Sequence, residues 1–221
     1  MVRLIAADMD GTLLDENSLL PEETFELIEK LRDRGVIFCA SSGRRYETLR
    51  WMFEPVADRM DYVGSLGTQV YADGVLLDRE VFSTRAVLRL FRTCQEFDCF
   101  HLVLYDRTHT YLLNDQSSYV RELGDVFSFM PSGNTWIDVT PRGISKATGL
   151  EALLGYYGID RADVVAFGDS MNDYAMLRYV GHPYVMGNAR YAVKQIAEKV
   201  VGTNVEHGVQ AEMRRILEEL G

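Results

Sequence analysis

Residues 2–15 have the sequence VRLIAADMDGTLLD, in which an apolar run leads directly into two acidic residues. Val2 to Ala7 is a short apolar run, typical of a strand that is covered on both faces. Two aspartates, Asp8 and Asp10, follow the run directly. Carboxylates this close repel each other and are costly to remove from water. Taken alone, the pair is compatible with a turn in which an aspartate caps a helix and with a functional site, and the other loops of the chain must decide between the two.

The arrangement of strand and helix continues beyond this stretch. Pro21 opens an amphipathic helix that ends near Gly35, and the apolar run 36–40 then leads into SSGRR and a second helix. The alternation returns with a helix over 146–157 and a strand over 164–167, which ends in GDSMND. It continues with a strand over 184–186, a helix over 189–197 and a strand over 199–201, and a helix over 208–220 follows. Alternation of this kind predicts right-handed βαβ units around a parallel sheet. The predicted fold class is α/β, with a doubly wound, Rossmann-like core.

The middle of the chain has a different pattern. Its predicted elements are short strands within 62–82, a helix over 84–97, two strands within 100–115, a short helix near 117–123 and a strand near 135–139. Hairpins mixed with helices indicate an α+β unit. We therefore predict a core domain of residues 1–78 and 139–221, with a small α+β domain, residues 79–138, inserted into it.

Charge and cysteine content exclude several classes of protein. The net charge is −10, from 33 acidic and 23 basic side chains, so nucleic acid is not an expected partner. The three cysteines include no CxxC pair, which predicts reduced thiols and a cytoplasmic protein rather than a disulfide framework or a zinc cluster. No signal peptide is visible, and no apolar run approaches the roughly 20 residues of a membrane span.

Three apolar strands end in polar loops: DMDGT, SSGR and GDSMND. Ligands of open α/β sheets bind outside the carboxyl ends of the strands, so these loops would share one crevice if the strands are neighbours. Several carboxylates brought together need a hard cation, and Mg²⁺ accepts oxygen ligands and a substrate phosphate. A hydroxyl and a lysine would complete a site for phosphoryl transfer. The residues concerned are Asp8, Asp10, Ser42, Lys146, Asp169 and Asp173.

Taken together, DMDGT, SSGR, the lone lysine of GISKATGL and GDSMND resemble the four motifs of the haloacid dehalogenase (HAD) superfamily of phosphohydrolases. The tail VMGNARYAVKQIAEKVVGTNVEHGV resembles the Cof-type branch, whose cap lies between the second and third motifs. The resemblance covers both core segments in order, and it implies a HAD-type core with a small cap.

The resemblance also implies a role for each matching residue. Asp8 would attack phosphorus and become an aspartyl phosphate, while Asp10 would act as general acid and then as general base. Lys146 is the third catalytic residue. The implied phosphate-binding set is Asp8, Gly11, Ser42, Gly43, Lys146 and Asn172. The implied Mg²⁺ set is Asp8, Asp10 through its backbone carbonyl, Asp169 and Asp173, the last through water or a second-sphere contact.

Other positions are less determined by the motifs. Arg44 or Arg45 is expected to contact the substrate or to order its loop, and a surface ion pair is the alternative. Leu66 stands where related Cof-type chains commonly have the asparagine of an Asn-Gly-Ala element. The inserted segment has about 60 residues, which is short for a domain and predicts a reduced cap. Alternation of strand residues about Met9 would direct Asp8 and Asp10 to one side.

The sequence predicts a Mg²⁺-dependent phosphatase of a small phosphorylated metabolite, such as a sugar phosphate or phosphoglycolate. Asp10 favours ester hydrolysis over dehalogenation, because an alkoxide needs a proton to leave and a halide does not. Two alternatives stay open: a phosphomutase, and a regulatory protein that binds a metal or ligand without turnover. A partner subunit could complete a small cap, so a homo-oligomer is also open.

Overall fold

The computed structural model describes residues 1–79, 81–95, 99–105, 110–116, 127–132 and 136–221. Its strands are β1 (Leu4–Ala7), β2 (Ile37–Ser41), β3 (Asp61–Gly64), β4 (Gln69–Ala72), β5 (Val75–Arg79), β6 (Cys99–Tyr105), β7 (Thr110–Gln116), β8 (Phe127–Ser132), β9 (Trp136–Pro141), β10 (Val164–Gly168), β11 (His182–Val185) and β12 (Lys199–Val200). Its α-helices are α1 (Glu23–Asp33), α2 (Tyr46–Met52), α3 (Thr84–Gln95), α4 (Lys146–Tyr157), α5 (Tyr174–Tyr179), α6 (Tyr191–Lys194) and α7 (Gly208–Leu220).

The main sheet has the strand order β12-β11-β10-β1-β2-β3-β4-β5. Pairing is parallel from β12 to β3, and β4 and β5 extend that edge as antiparallel strands. The chain runs outward from β1 through β2 and β3, then returns to the other side of β1 as β10. The strand order therefore reverses beside β1, where ligands of such sheets bind. The predicted α/β fold with a mostly parallel sheet is confirmed.

The central strands are apolar because both of their faces are covered. Every residue of β1, β2 and β10 is buried. Helix α1 packs against α7, and α4 packs against α5. The inward residues of α1 include Leu27, Ile28 and Leu31, which lie on one stripe of the helix. A continuous core of this kind holds the strand ends in fixed positions.

A second compact unit comprises residues 81–129 and 139–143, while the first comprises 1–80, 130–138 and 144–221. Within the second unit, Ala86 and Leu90 of α3 are buried together with Phe127. The strands β6 and β7 form an antiparallel pair, as the sequence predicts for 100–115. The division of the chain into an inserted domain of residues 79–138 and a core of the remaining residues stays a prediction.

Some predicted elements differ from the observed ones. Strand β8 has no counterpart among the predicted strands, and the helix predicted over 189–197 is only the single turn α6. The helix predicted near 117–123 lies outside the described residues. No described helix is both long enough and apolar enough to cross a membrane. Of the described side chains, Cys39 is a free, buried thiol.

Candidate active site

The DMDGT loop turns sharply after β1. Asp8 is still attached to the sheet, since its backbone N–H donates to the carbonyl of Phe167 over 3.1 Å. Residues 9–13 then form a short helical turn, which is broken by non-helical backbone at Asp10 (φ −77°, ψ 119°) and Gly11 (φ 79°, ψ 0°). The strand ends at Ala7, so the prediction that Met9 continues its alternation is wrong.

This turn sends the two aspartates into different environments. Asp8 is only 5% exposed, whereas the Asp10 side chain is 58% exposed. Asp8 accepts a hydrogen bond from the Lys146 ammonium, and Asp10 pairs with Arg44. The close carboxylates of the sequence are thus separated by the backbone, one facing the interior and one facing outward.

Lys146 lies at the start of α4, where Ser145 forms a capping box with Thr148. Its side chain is fully buried and contacts both Asp8 and Asp173, the latter over 2.6 Å from Nζ to Oδ1. Burial opposes the charged ammonium, but Asp173 and Asp8 outweigh that effect and raise the pKa of Lys146 above its ordinary value. The lysine is therefore a fixed cation between two carboxylates.

The GDSMND loop after β10 supplies the other acids. Asp173 is fully buried, and its Oδ2 accepts the backbone N–H groups of Asp169 and Ser170, each over 3.0 Å. Carboxylate oxygens of Asp8, Asp169 and Asp173 all lie within 4.8 Å of one another. Sheet order explains the cluster, because β1 and β10 are hydrogen-bonded neighbours whose carboxyl ends coincide.

Electrostatics indicate that this cluster suits a divalent cation. Burial, followed by the charge of Asp173, raises the pKa of Asp8 to about 7 and that of Asp169 to about 6. When all three acids are ionised, three carboxylates and one ammonium leave two uncompensated negative charges. A divalent cation would neutralise them, and the oxygen-only donor set is the kind that Mg²⁺ accepts. The Asp10 carboxylate is not part of the cluster.

The SSGR loop approaches the same turn. Ser42 is buried, and its hydroxyl oxygen accepts the backbone N–H of Arg44 over 3.1 Å. The Arg44 guanidinium donates two hydrogen bonds to the Asp10 carboxylate, from Nε to Oδ2 over 3.0 Å and from Nη2 to Oδ1 over 2.5 Å. Arg45 instead pairs with Glu47 over 3.3 Å. Arg44 therefore contacts the DMDGT turn through the Asp10 side chain.

The remaining predicted residues have local partners. The Asn172 side-chain oxygen accepts the Ser170 hydroxyl over 2.5 Å. Gly43 is exposed, and a Cβ added to Gly11 would lie 2.8 Å from an Asp169 oxygen. That approach, together with a φ of 79°, is why glycine is needed at Gly11.

Two polar residues beside these groups are not among the sequence-predicted site residues. The Thr12 hydroxyl donates to Asp169 over 3.4 Å, and the Asn188 amide donates to the Gly11 carbonyl over 2.7 Å. Thr12 lies inside the DMDGT motif and Asn188 inside the tail motif VMGNARY. The motifs thus contain both positions, but a motif alone does not say which atoms meet.

Leu66 has a feature that its sequence position does not reveal. It is 6% exposed and has left-handed backbone angles, φ 57° and ψ 31°. Asparagine tolerates that conformation better than leucine does. The backbone conformation is therefore one reason why asparagine would be favoured at this position. The Leu66 N–H donates to the Ser42 carbonyl over 2.9 Å, so this turn supports the SSGR loop even without the asparagine.

Comparison with known proteins agrees with these motifs. The family model described as haloacid dehalogenase-like hydrolase matches residues 5–129 and 116–213. The 5-amino-6-(5-phospho-D-ribitylamino)uracil phosphatase YbjI of Escherichia coli (strain K12) is 28% identical, and the alignment covers 98% of this chain and 96% of that protein. An HMP-PP phosphatase of Yersinia enterocolitica is also 28% identical, over 95% of this chain and 93% of its own.

Solved structures share the fold. SMU.1108c from Streptococcus mutans UA159 superimposes with a TM-score of 0.89 at 21% identity, over 99% of this chain and 100% of the other. The phosphatase BT1666 from Bacteroides thetaiotaomicron has a TM-score of 0.82 at 21% identity, with 97% and 95% covered.

The chain belongs to the haloacid dehalogenase-like hydrolases. The predicted membership of this superfamily and of its Cof-type branch is confirmed, as is the prediction of a hydrolase.

Proposed function

We propose that the chain is a Mg²⁺-dependent phosphatase that hydrolyses a small phosphorylated metabolite through an aspartyl phosphate on Asp8. One observation carries the proposal: buried Lys146 joins Asp8 to Asp173 while Asp169 lies beside them. Such a site offers a nucleophile, a fixed cation for phosphoryl oxygens and a place for a metal. The names of the relatives, which are phosphatases of small metabolites, support the same class.

The residues that would hold the ion are Asp8, Asp169 and, through water, Asp173, together with the backbone carbonyl of Asp10. Bound there, Mg²⁺ would neutralise charge on the phosphoryl group and favour the ionised form of Asp8. Lys146 would hold a phosphoryl oxygen from the protein side.

Hydrolysis would take two steps. In the first, a carboxylate oxygen of Asp8 bonds to phosphorus, the bond from phosphorus to the ester oxygen breaks, and Asp10 gives that oxygen a proton. In the second, water attacks the phosphorus of the aspartyl phosphate, and Asp10 takes a proton from the water. The bond between phosphorus and Asp8 then breaks, and inorganic phosphate leaves. The Asp10 side chain is exposed, so a departing alcohol and water can reach it once its ion pair with Arg44 opens.

The proposed phosphate contacts, besides Asp8 and Lys146, are Gly11, Ser42, Gly43 and Asn172. Arg44 and Arg45 remain proposed contributors to specificity. The proposal also divides the chain into a core, residues 1–78 and 139–221, and a cap, residues 79–138. It includes a cytoplasmic location. The predicted substrate is a phosphomonoester such as a sugar phosphate or phosphoglycolate, and the relatives add phosphorylated ribityl compounds and HMP-PP to the candidates.

The test uses p-nitrophenyl phosphate with and without Mg²⁺, on the wild type and on Asp8→Asn. We expect phosphate release that requires Mg²⁺ and falls by at least about 10³-fold in the variant, because the nucleophile is lost. Equal rates in the two proteins would refute the role of Asp8.

A panel of phosphate esters then separates the alternatives. Transfer of the phosphoryl group to a second sugar without free phosphate would indicate a phosphomutase. No reaction with any ester would favour a regulatory protein.

A further inference from the structure

The DMDGT turn leaves backbone carbonyls that its own residues do not satisfy. Non-helical backbone at Asp10 and Gly11 interrupts the regular hydrogen bonds of the turn. Buried or half-buried carbonyls without a partner are costly, so the fold must supply donors from elsewhere. The donors come from the C-terminal part of the chain, which contains the tail motif.

Three side-chain amides of that part donate to carbonyls within residues 11–14, in the DMDGT turn and directly after it. Asn188 donates to Gly11 over 2.7 Å, Gln210 to Leu13 over 3.2 Å, and Asn204 to Leu14 over 3.0 Å. Each is an uncharged donor, so it satisfies a carbonyl without adding charge beside the acidic cluster.

Asn188 differs from the other two because its segment contacts both acidic loops. Two residues near it bind the end of β10 and the loop that follows. The Met186 N–H donates to the carbonyl of Gly168 over 3.1 Å, and the Arg190 N–H donates to the carbonyl of Asp169 over 3.1 Å. Its own amide holds Gly11 on the β1 side. The segment 186–190 therefore spans the two loops that supply Asp8 and Asp169.

The orientation of Asn188 is itself fixed. Its Oδ1 accepts the backbone N–H of Asn204 over 3.1 Å, which leaves Nδ2 to point at Gly11. The residue is exposed, so its side chain does not fill the core. Both the oxygen and the nitrogen of the Asn188 amide form hydrogen bonds although the side chain is exposed. This indicates that the residue positions its partners rather than packs in the core.

We propose that Asn188 is a positioning residue, which fixes the peptide of Gly11 and thereby the spacing between the DMDGT turn and Asp169. This inference rests on the proposed phosphatase function of the same site. Partners that orient metal ligands typically matter by about 10- to 100-fold in metal affinity or activity. The inference also gives the tail motif a physical role, because its two asparagines donate to the carbonyls of Gly11 and Leu14.

The test compares Asn188→Ala and Asn188→Leu with the matched control Asn17→Ala. Asn17 is also an exposed asparagine close to the turn in sequence, and it bonds to Asp15 through its backbone N–H, over 2.8 Å. The leucine variant keeps the approximate shape of asparagine while it removes the donor. Thermal melts establish that all three variants are folded.

Two measurements follow, and one of them needs neither metal nor turnover. In metal-free protein, hydrogen exchange of the amides within 9–14 should be about 2- to 10-fold faster in both Asn188 variants, because one hydrogen bond is lost. With p-nitrophenyl phosphate, kcat should fall or the Mg²⁺ concentration for half-activation should rise by about 10- to 100-fold, with KM changing less.

The outcomes separate the two proposals. Exchange and kinetics equal to those of Asn17→Ala would overturn the role of Asn188, while an active wild type would leave the phosphatase proposal intact. An inactive wild type would instead overturn the phosphatase function, and with it the catalytic meaning of the positioning. Faster exchange would then show only that the Gly11 contact exists.

Discussion

At the scale of single residues, the environment of Asp8 differs strongly from that of an exposed aspartate. It is buried beside Asp173, and only Lys146 offers it a compensating charge among its described contacts. Burial is the larger cause of its raised pKa, and the repulsion from Asp173 is the next. The same environment that makes the carboxylate costly in the free protein makes it a good ligand for a cation.

This environment predicts how stability changes with pH in metal-free protein. The pKa of Asp8 is about 7 in the fold and 3.8 in its reference state, so the folded protein retains a proton that the unfolded chain has released. Rising pH therefore favours the unfolded state through this group. As pH rises from about 4 to about 7, between these two pKa values, we expect Asp8→Asn to gain stability relative to the wild type, as measured by urea unfolding in EDTA.

Addition of Mg²⁺ provides the control for that experiment. A cation beside Asp8 favours the ionised carboxylate, so the pH-dependent difference between the two proteins should shrink. A difference in unfolding free energy that stays constant across the pH range would contradict the environment assigned to Asp8.

At the scale of elements, the position of Lys146 depends on how α4 begins. Gly67, in the turn after β3, has a φ of 96°, and a Cβ added there would lie 2.0 Å from the carbonyl oxygen of Ser145. Gly149, in the first turns of α4, similarly approaches Val63 and Gly67. Close contact of backbone with backbone thus places the start of the helix, and the lysine with it, against the strand ends.

We expect Gly67→Ala to disturb both folding and catalysis, with Gly158→Ala as the matched control at the other end of α4. Gly158 also has a positive φ, of 60°, but nothing lies within 4 Å of an added Cβ. The control should cost about 1–2 kcal/mol for the left-handed backbone alone. Gly67→Ala should cost about 1–3 kcal/mol more, because Ser145 must move, and should lower kcat as Lys146 is displaced.

Chemical denaturation and steady-state kinetics on both variants would check this. Equal losses of stability in the two proteins, with kcat unchanged in Gly67→Ala, would mean that the close packing at Gly67 does not position the lysine.

At the scale of the whole molecule, the acidic cluster is a product of complete folding. Asp8 and Asp169 are 161 positions apart in the chain, and they meet because β1 and β10 are neighbours. The unfolded chain has no comparable site. A metal bound by this cluster must therefore stabilise the native state by mass action.

We expect Mg²⁺ at about 100 times its dissociation constant to add about 2.7 kcal/mol to the free energy of unfolding. For a chain of this length, the melting temperature should rise by about 5–10 °C. Asp169→Asn should lose most of this shift because it removes one ligand. A shift of the same size in the variant would place the ion elsewhere.

Much of the fold could be predicted because its signals are local. The buried strands β1, β2 and β10 are apolar runs that end in polar loops, and α4 and α7 have the predicted bounds. Strand β8 could not be predicted in this way, and α6 is shorter than its apolar pattern indicates. For an isolated short run, local propensity is weak, and long-range packing decides whether it becomes a strand or a single helical turn.

Local patterns in the sequence are enough to establish the family, the order of strands and helices in the core, and the residue types at the carboxyl ends of the strands. The three-dimensional fold is needed to show which atoms meet: Lys146 with Asp8 and Asp173, Arg44 with Asp10, and Asn188 with Gly11. Periodicity and turn chemistry act over a few residues, so a sequence displays them directly. Contacts between distant segments depend on sheet order and backbone direction, which exist only once the core has packed.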